Sequence, residues 1–222
     1  MVAEIVSVNI SGLQKMYWNG ERILTGIHKR AVGHPVQVGT LSIVGDVQAD
    51  LVSHGGKDKA VYFYPSEHFP FWAEVLGRPE LRPGSLGENF TTKGVLETGV
   101  FIGDIWRVGT ARVQIIQPRS PCYKLAIKYE RLDLVPRFLE ATKPGFYASV
   151  LQEGVVQAGD EMELVSREQD QITVADVFRL AVGFDPELER RQAIGKYRLI
   201  PEFWRRKVMA HAPVSDAATI ER

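Results

Sequence analysis

The chain carries a single cysteine, Cys122, and it falls in the densest run of reactive side chains, Gln117-Pro118-Arg119-Ser120-Pro121-Cys122-Tyr123-Lys124. An apolar helical pattern, Leu125-Ala126-Ile127-Lys128-Tyr129, starts where this run ends. Ser120 suits an N-cap and Pro121 a first helical position, so the spacing predicts Cys122 in the first turn of a helix. Unpaired backbone N–H groups and the helix dipole favour an anion there, and Arg119 and Lys124 add positive charge, so the thiolate is expected to be stabilised relative to a free cysteine. A thiol in that setting can attack an electrophile or ligate a metal. Without the helix start, the ordinary reading of a lone cysteine is a small buried hydrophobe.

A second run, Ser53-His54-Gly55-Gly56-Lys57-Asp58, has consecutive glycines whose N–H groups can converge into a nest for an oxyanion. His54 supplies a donor and Lys57 a point charge, which suits phosphate or a similar anion, although Gly-Gly by itself is more often a tight turn. A third, Pro83-Gly84-Ser85-Leu86-Gly87-Glu88-Asn89-Phe90, is a glycine-rich loop entering a strand. There Glu88 and Asn89 could orient a ligand or satisfy the loop's own backbone. The five histidines, His28, His34, His54, His68 and His211, show no i,i+4 pair, so a zinc site is unsupported. Neither a Gly-x-Ser-x-Gly elbow nor a dinucleotide-binding fingerprint is present. A Cys122–His54 nucleophilic pair stays open, with no third orienting group to name.

The elements that must position these groups change character along the chain. From residue 1 to about 167, short alternating strands punctuated by turn residues predict a barrel or sandwich. Gln14–Trp18 and Glu21–Thr25 flank Asn19-Gly20, which suits a type I′ hairpin turn because both positions need positive φ. Val36 to Val47 alternates again, Ile102 to Ile116 reads as a hairpin turning at Gly109-Thr110, and Glu161 to Val165 is a strand opened by Gly159-Asp160. The Gly-Asp pairs are turn chemistry rather than ligands. Phe69, Trp72, Ala73 and Leu76 recur at helical spacing after Pro65-Ser66-Glu67, which predicts a helix packed on the barrel. After Arg167 the period becomes about 3.6. Thr173 to Asp176 has capping-box spacing ahead of an apolar helix closed by Gly183, and Pro186 to Ile194 and Pro201 to Ala210 predict two more helices. Arg205-Arg206-Lys207 beside Trp204 reads as a solvated basic face.

Bulk composition narrows the function classes. Twenty-seven basic and 27 acidic residues cancel, so there is no overall field to hold bulk nucleic acid or an anionic membrane. No apolar run approaches the ~18–20 residues of a membrane span. The N-terminus has Glu4 where a signal peptide carries positive charge. One cysteine cannot form an internal disulfide, which fits a reducing compartment, and the expected location is cytoplasmic.

Taken in order, His54-Gly55-Gly56-Lys57 with Lys59-Ala60-Val61-Tyr62-Phe63-Tyr64-Pro65, then Gly87-Glu88-Asn89-Phe90, then Pro118-Arg119-Ser120-Pro121-Cys122, resemble the MOSC domain family. The segment beyond about residue 168 is similar to the three-helix extension of its YiiM-type members, so the resemblance spans essentially the whole chain. It implies an α+β, mainly β fold: an antiparallel β-barrel with flanking helices over residues 1–167 and a small C-terminal three-helix domain over 168–222. It also implies a pterin-bound molybdenum cofactor, with Cys122 matching the metal-ligating, catalytic cysteine. The chemistry agrees, because a high-valent metal held by dithiolene sulfurs accepts a further soft thiolate.

On the same resemblance, His54, Gly55, Gly56 and Lys57, or Arg119 and Lys124, suit the cofactor's phosphate, Asn89 belongs to the pocket, and Tyr147 lines it. The activity implied is reduction of N-hydroxylated compounds such as 6-N-hydroxylaminopurine. An iron–sulfur cluster needs several cysteines, so electrons are expected from an external electron-donor reductase that meets the helical tail or the barrel rim. Three other roles stay open: a sulfur carrier with a persulfide on Cys122, a module that stores or delivers the cofactor without turnover, and a cysteine hydrolase dependent on His54. The oligomeric state, monomer or homodimer, is open too.

Overall fold

In the computed structural model, which describes residues 3–49, 55–167, 172–184 and 187–210, the alternating segments form twelve strands. The first five are β1 (Ala3–Ile10), β2 (Gln14–Trp18), β3 (Glu21–Thr25), β4 (Arg30–Val32) and β5 (Val36–Val38). Then come β6 (Val61–Pro65), β7 (Phe90–Lys93), β8 (Ile105–Val108), β9 (Ala111–Pro118), β10 (Phe146–Gln152), β11 (Gly154–Val156) and β12 (Glu161–Ser166). Seven of them close into a barrel in the order β12-β8-β9-β10-β6-β7-β1, with β1 pairing back onto β12. Closure removes the open edges that a flat sheet would leave unpaired. The expected barrel is present, and the pairing of β6 with β7 is parallel where the others around it are antiparallel. A parallel neighbour needs a crossover, and the chain between β6 and β7 supplies it through the 3-10 turn Ser66–His68 and helix α1 (Phe69–Val75).

The turns carry the predicted signs. Asn19 and Gly20 both have positive φ, 49° and 81°, between β2 and β3. Asp104 is buried, accepts the Phe101 amide and pairs with Arg167, so it serves the turn and not a ligand. One strand is shorter than its alternation suggests: β5 stops at Val38. The chain turns at Gly39, whose amide donates to Ser42, and bends again at Gly45, with φ 87°. That bend returns Asp46 to the interior instead of continuing the strand.

Helices flank the barrel in two groups. Helix α1, with α2 (Tyr123–Tyr129) and α3 (Leu134–Ala141), encloses a cluster in which Trp72 stacks on Phe138 at 5.1 Å, beside Tyr64, Leu125 and Leu134. Helix α3 is an element that the sequence pattern did not single out. Among the described residues the tail forms α4 (Val174–Ala181), α5 (Leu188–Lys196) and α6 (Glu202–Ala210). Thr173 and Asp176 make the reciprocal capping box, so the shorter Asp reaches as well as a Glu would. Helix α5 starts at Leu188, and the predicted start at Pro186 lies outside the described residues. Phe178, Ile194, Trp204 and Val208 share one apolar cluster with the barrel residues Ile102, Val113 and Ile115. No helix among the described residues is long and apolar enough to cross a membrane.

The start of β10 tolerates no side chain at Gly145. Its φ is +65°, and a Cβ would stand 2.5 Å from the Phe63 carbonyl and under 3 Å from the rings of Tyr62 and Tyr64. Gly145→Ala therefore forces β10 away from β6, and the expected loss is about 2–4 kcal/mol in a urea unfolding titration.

Candidate functional site

Strand β9 runs out through Arg119, Ser120 and Pro121 into α2, and the residue at the junction is Cys122 itself. Cys122 has extended dihedrals (φ −128°, ψ 159°), its carbonyl accepts the Leu125 amide, and it occupies the N-cap. The helix thus begins two residues later than the Ser120-Pro121 signal predicts. The buried faces of Leu125 and Ala126 set the helix phase, and the first apolar turn they require starts at Tyr123. The thiol makes no capping bond, is half-buried, and faces a cavity of about 100 Å³.

Positive charge dominates the cavity wall. Arg119 is 6 % exposed, and both of its hydrogen bonds leave from Nη1, to the Leu86 carbonyl (2.6 Å) and to the Tyr62 hydroxyl (3.3 Å). Its guanidinium also lies 4.8 Å over the Tyr62 ring and 5.6 Å from that of Phe138. Burial alone would weaken its hold on the proton, but Tyr62, Tyr147 and Cys122 more than offset that, and Arg119 stays charged above its ordinary range. Lys124 is 8 % exposed, lines the same cavity, and pairs with no carboxylate among the described residues. Lys59 lines it as well. Burial pushes the Tyr62 and Tyr147 hydroxyls up, so both stay neutral, and their rings lie 5.0 Å apart.

A polar brace shapes the opposite side. Lys29 Nζ sits 2.6 Å from both Asp46 oxygens, and Asp46 also accepts the Ser11 amide (2.8 Å) and Asn89 Nδ2 (2.8 Å). Burial lowers the Lys29 pKa and Asp46 opposes the shift. Separating such a pair by removing one partner costs about 3–5 kcal/mol. Asn89 completes the brace by accepting the Tyr62 amide on Oδ1 (3.1 Å), so its side-chain amide is committed to the frame. Glu88 is turned inward: it accepts from the amides of Gly84 (2.6 Å) and Leu86 (3.0 Å) and from Thr91 Oγ1 (2.9 Å), which is the backbone-satisfying role.

Of the residues nominated from sequence, Asn89, Arg119, Cys122, Lys124 and Tyr147 meet at this one cavity. Gly55, Gly56 and Lys57 do not line it. Lys57 is exposed, and Lys59 takes the wall position two residues on. His54 lies outside the described residues. Lys29, Asp46 and Gln48 were missed, because Lys29 sits in the plain basic run His28-Lys29-Arg30 and Asp46 in a Gly-Asp pair of the kind that elsewhere only makes turns.

The residues 50–163 match the MOSC domain family model. The chain is 40% identical over 205 residues to "Uncharacterized protein YflK" of Bacillus subtilis, covering 92% of each. A protein of Gibberella moniliformis named "Reductase" is 30% identical over 179 residues, which are 79% of this chain and 32% of that one. The crystal structure of YiiM from Geobacillus stearothermophilus superposes with a TM-score of 0.76 at 34% identity, covering 94% of this chain and 98% of that one.

The loop over the cavity is tied to α2 by Lys128, whose Nζ donates to the carbonyls of Ile27, Gly84 and Ser85. Burial holds its pKa at about 8, below the ordinary 10.5, despite Glu88. Below pH 8 folded and unfolded chains both carry this proton; between pH 8 and 10.5 the unfolded chain alone carries it, so this group makes stability rise with pH across that window. Unfolding free energies of the wild type should therefore climb more steeply there than those of Lys128→Met, by about one proton's worth of slope near the middle of the window. Identical slopes would show that Lys128 does not titrate in that range.

Proposed function

The chain belongs to the MOSC domain family, and from that premise we propose that its cavity holds a pterin-bound molybdenum cofactor through Cys122 and that the protein reduces N-hydroxylated compounds such as 6-N-hydroxylaminopurine. The observation that carries this reading is the company Cys122 keeps: a partly exposed thiol shares one cavity with buried Arg119 and Lys124, and neither cation has a carboxylate partner among the described residues. Buried charge without a counter-ion is costly, so the cavity is built for an anionic guest. Among the described residues no three His, Cys, Asp or Glu side chains gather to hold a bare metal ion. A metal bound beside Cys122 would arrive with its remaining ligands, as a pterin dithiolene complex does, and would take the soft sulfur as a further one.

When bound, such a cofactor supplies two-electron oxygen-transfer chemistry. The balanced reaction is R–NHOH + 2e⁻ + 2H⁺ → R–NH₂ + H₂O. The chain's own groups have separate tasks in it. Cys122 Sγ is the protein ligand. Arg119, Lys124 and Lys59 neutralise phosphate and pterin charge, and the Lys29–Asp46–Asn89 brace keeps the opposite wall in place. Neutral Tyr147 lines the cavity without adding negative charge, and neutral Tyr62, whose hydroxyl donates to the Pro144 carbonyl and accepts from Arg119, fixes the wall behind it. With one cysteine the chain cannot build an iron–sulfur cluster, so the two electrons come from a separate redox partner in a reducing cytoplasm. The fungal relative named a reductase agrees with redox chemistry.

Protein purified from a host that makes the cofactor should contain about one molybdenum and one pterin per chain. Cys122→Ala should lose the metal and the reduction of N-hydroxylated substrates together, and Arg119→Gln should weaken cofactor retention about 10- to 100-fold. Wild-type protein free of molybdenum under these conditions sinks the proposal. A persulfide found on Cys122 instead would favour the sulfur-carrier role.

A further inference from the structure

The 3-10 turn Lys57–Lys59, which brings Lys59 and the adjoining Ala60 to the cavity wall, is held by two glutamines. Gln48 accepts the Gly56 amide on Oε1 (3.1 Å) and donates from Nε2 to the Lys59 carbonyl (3.1 Å). Gln117 approaches from β9, donating from Nε2 to the Asp58 carbonyl (3.0 Å). It is 3 % exposed, and its Oε1 accepts the indole N–H of Trp204 at 3.0 Å. Trp204 belongs to α6, is 1 % exposed, and packs against Phe178 of α4 and Phe203, with ring centroids 5.9 and 5.3 Å away.

The chemistry of the two partners leaves the Gln117 amide a single orientation. An indole N–H only donates and a backbone carbonyl only accepts. A flipped amide would set N–H against N–H at Trp204 and oxygen against oxygen at Asp58, with both ends buried and unpaired. Trp204 thus chooses which way Gln117 points, and Gln117 thereby holds the turn. The same glutamine lies two residues before Arg119 and opposite Tyr147 in the β9–β10 register, so it stands directly behind three groups of the cavity wall: Arg119, Tyr147 and the Lys59 turn.

We infer that α6 positions the basic rim of the cavity, with Trp204 and Gln117 as positioning residues that relay its docking to the turn carrying Lys59. The helical tail is then part of the site's construction, although none of its described residues lines the cavity. The relay works whatever anion fills the cavity, and it is reciprocal: an anion that steadies Lys59 steadies the Trp204–Gln117 contact, and losing that contact loosens the rim.

Hydrogen exchange at the Gly56 amide, bonded to Gln48 Oε1, and at the Lys59 amide, bonded to the Gly56 carbonyl, reads the order of this turn and needs no bound cofactor. Trp204→Phe keeps an aromatic ring against Phe178 but removes the N–H, and it should speed exchange at these two amides about tenfold, the equivalent of one hydrogen bond. Gln117→Met, with the indole intact, should do the same. Val208→Ala cuts a buried contact of α6 outside the relay; it should lower the melting temperature at least as much as Trp204→Phe and leave the two amides at the wild-type rate. The inference is overturned if Trp204→Phe exchanges at the wild-type rate, or if Val208→Ala speeds the same amides equally. Should Trp204→Phe fail to fold, Gln117→Met against Val208→Ala decides by the same readout.

Discussion

Arg119 is the constraint around which the rest of the site is arranged. A guanidinium cannot shed its proton, so burying one commits the fold to a permanent positive charge in a poorly solvated place. No carboxylate answers it among the described residues. Instead a carbonyl, a phenol and two aromatic faces share the task. Those partners lower the cost of burial without cancelling the charge. The charge is left to act on whatever enters the cavity, and Cys122, three residues on, faces that same space.

Much of the fold can be understood as scaffolding for that commitment. Strand β6 is buried along its length and provides Tyr62 on the cavity side, while Asn89 accepts the Tyr62 amide and ties the β7 approach to it. The Asp46 carboxylate then joins Asn89, Lys29 and Ser11, which stand far apart in sequence. Such a hub gains from the low dielectric that would penalise any one of its members alone. The loop between Gly84 and Glu88 is held from both sides, by Glu88 through its amides and by Lys128 through its carbonyls. Its Leu86 carbonyl can therefore be offered to Arg119 at a fixed place.

The tail helices illustrate how an appended element becomes part of a site without touching it. Their apolar faces extend the barrel's core, which accounts for most of their stability, since helices of eight or nine residues are marginal alone. Beyond packing, they donate to the barrel side: the Val174 and Ala175 amides to the Val100 and Glu97 carbonyls, the Tyr197 hydroxyl to the Ile102 carbonyl, and the Trp204 indole to the buried Gln117 amide oxygen. Hydrophobic docking supplies the energy, and these directional contacts supply the register.

Local pattern was enough for short strands of a barrel or sandwich, the type I′ hairpin at Asn19-Gly20, the capping box at Thr173, and the clustering of Arg119, Cys122 and Lys124, because each depends on residues within a few positions of one another, whereas closure into a barrel came from the family resemblance. Local spacing carries that information through φ preferences, capping reach and strand or helix period. It also carried the start of α2 to within two residues, missing where packing of Leu125 and Ala126 overrode the Ser-Pro signal. Long-range packing was needed to show that β1 closes onto β12, that Asp46 pairs with Lys29 across 17 positions, that Glu88 serves its own loop while Asn89 serves the wall, that Lys59 replaces Lys57 at the cavity, and that Gln117 answers to Trp204 across 87. These are choices of partner for buried polar groups, and a buried polar group takes whichever complementary atom the closed barrel brings within 3 Å, which no local pattern encodes.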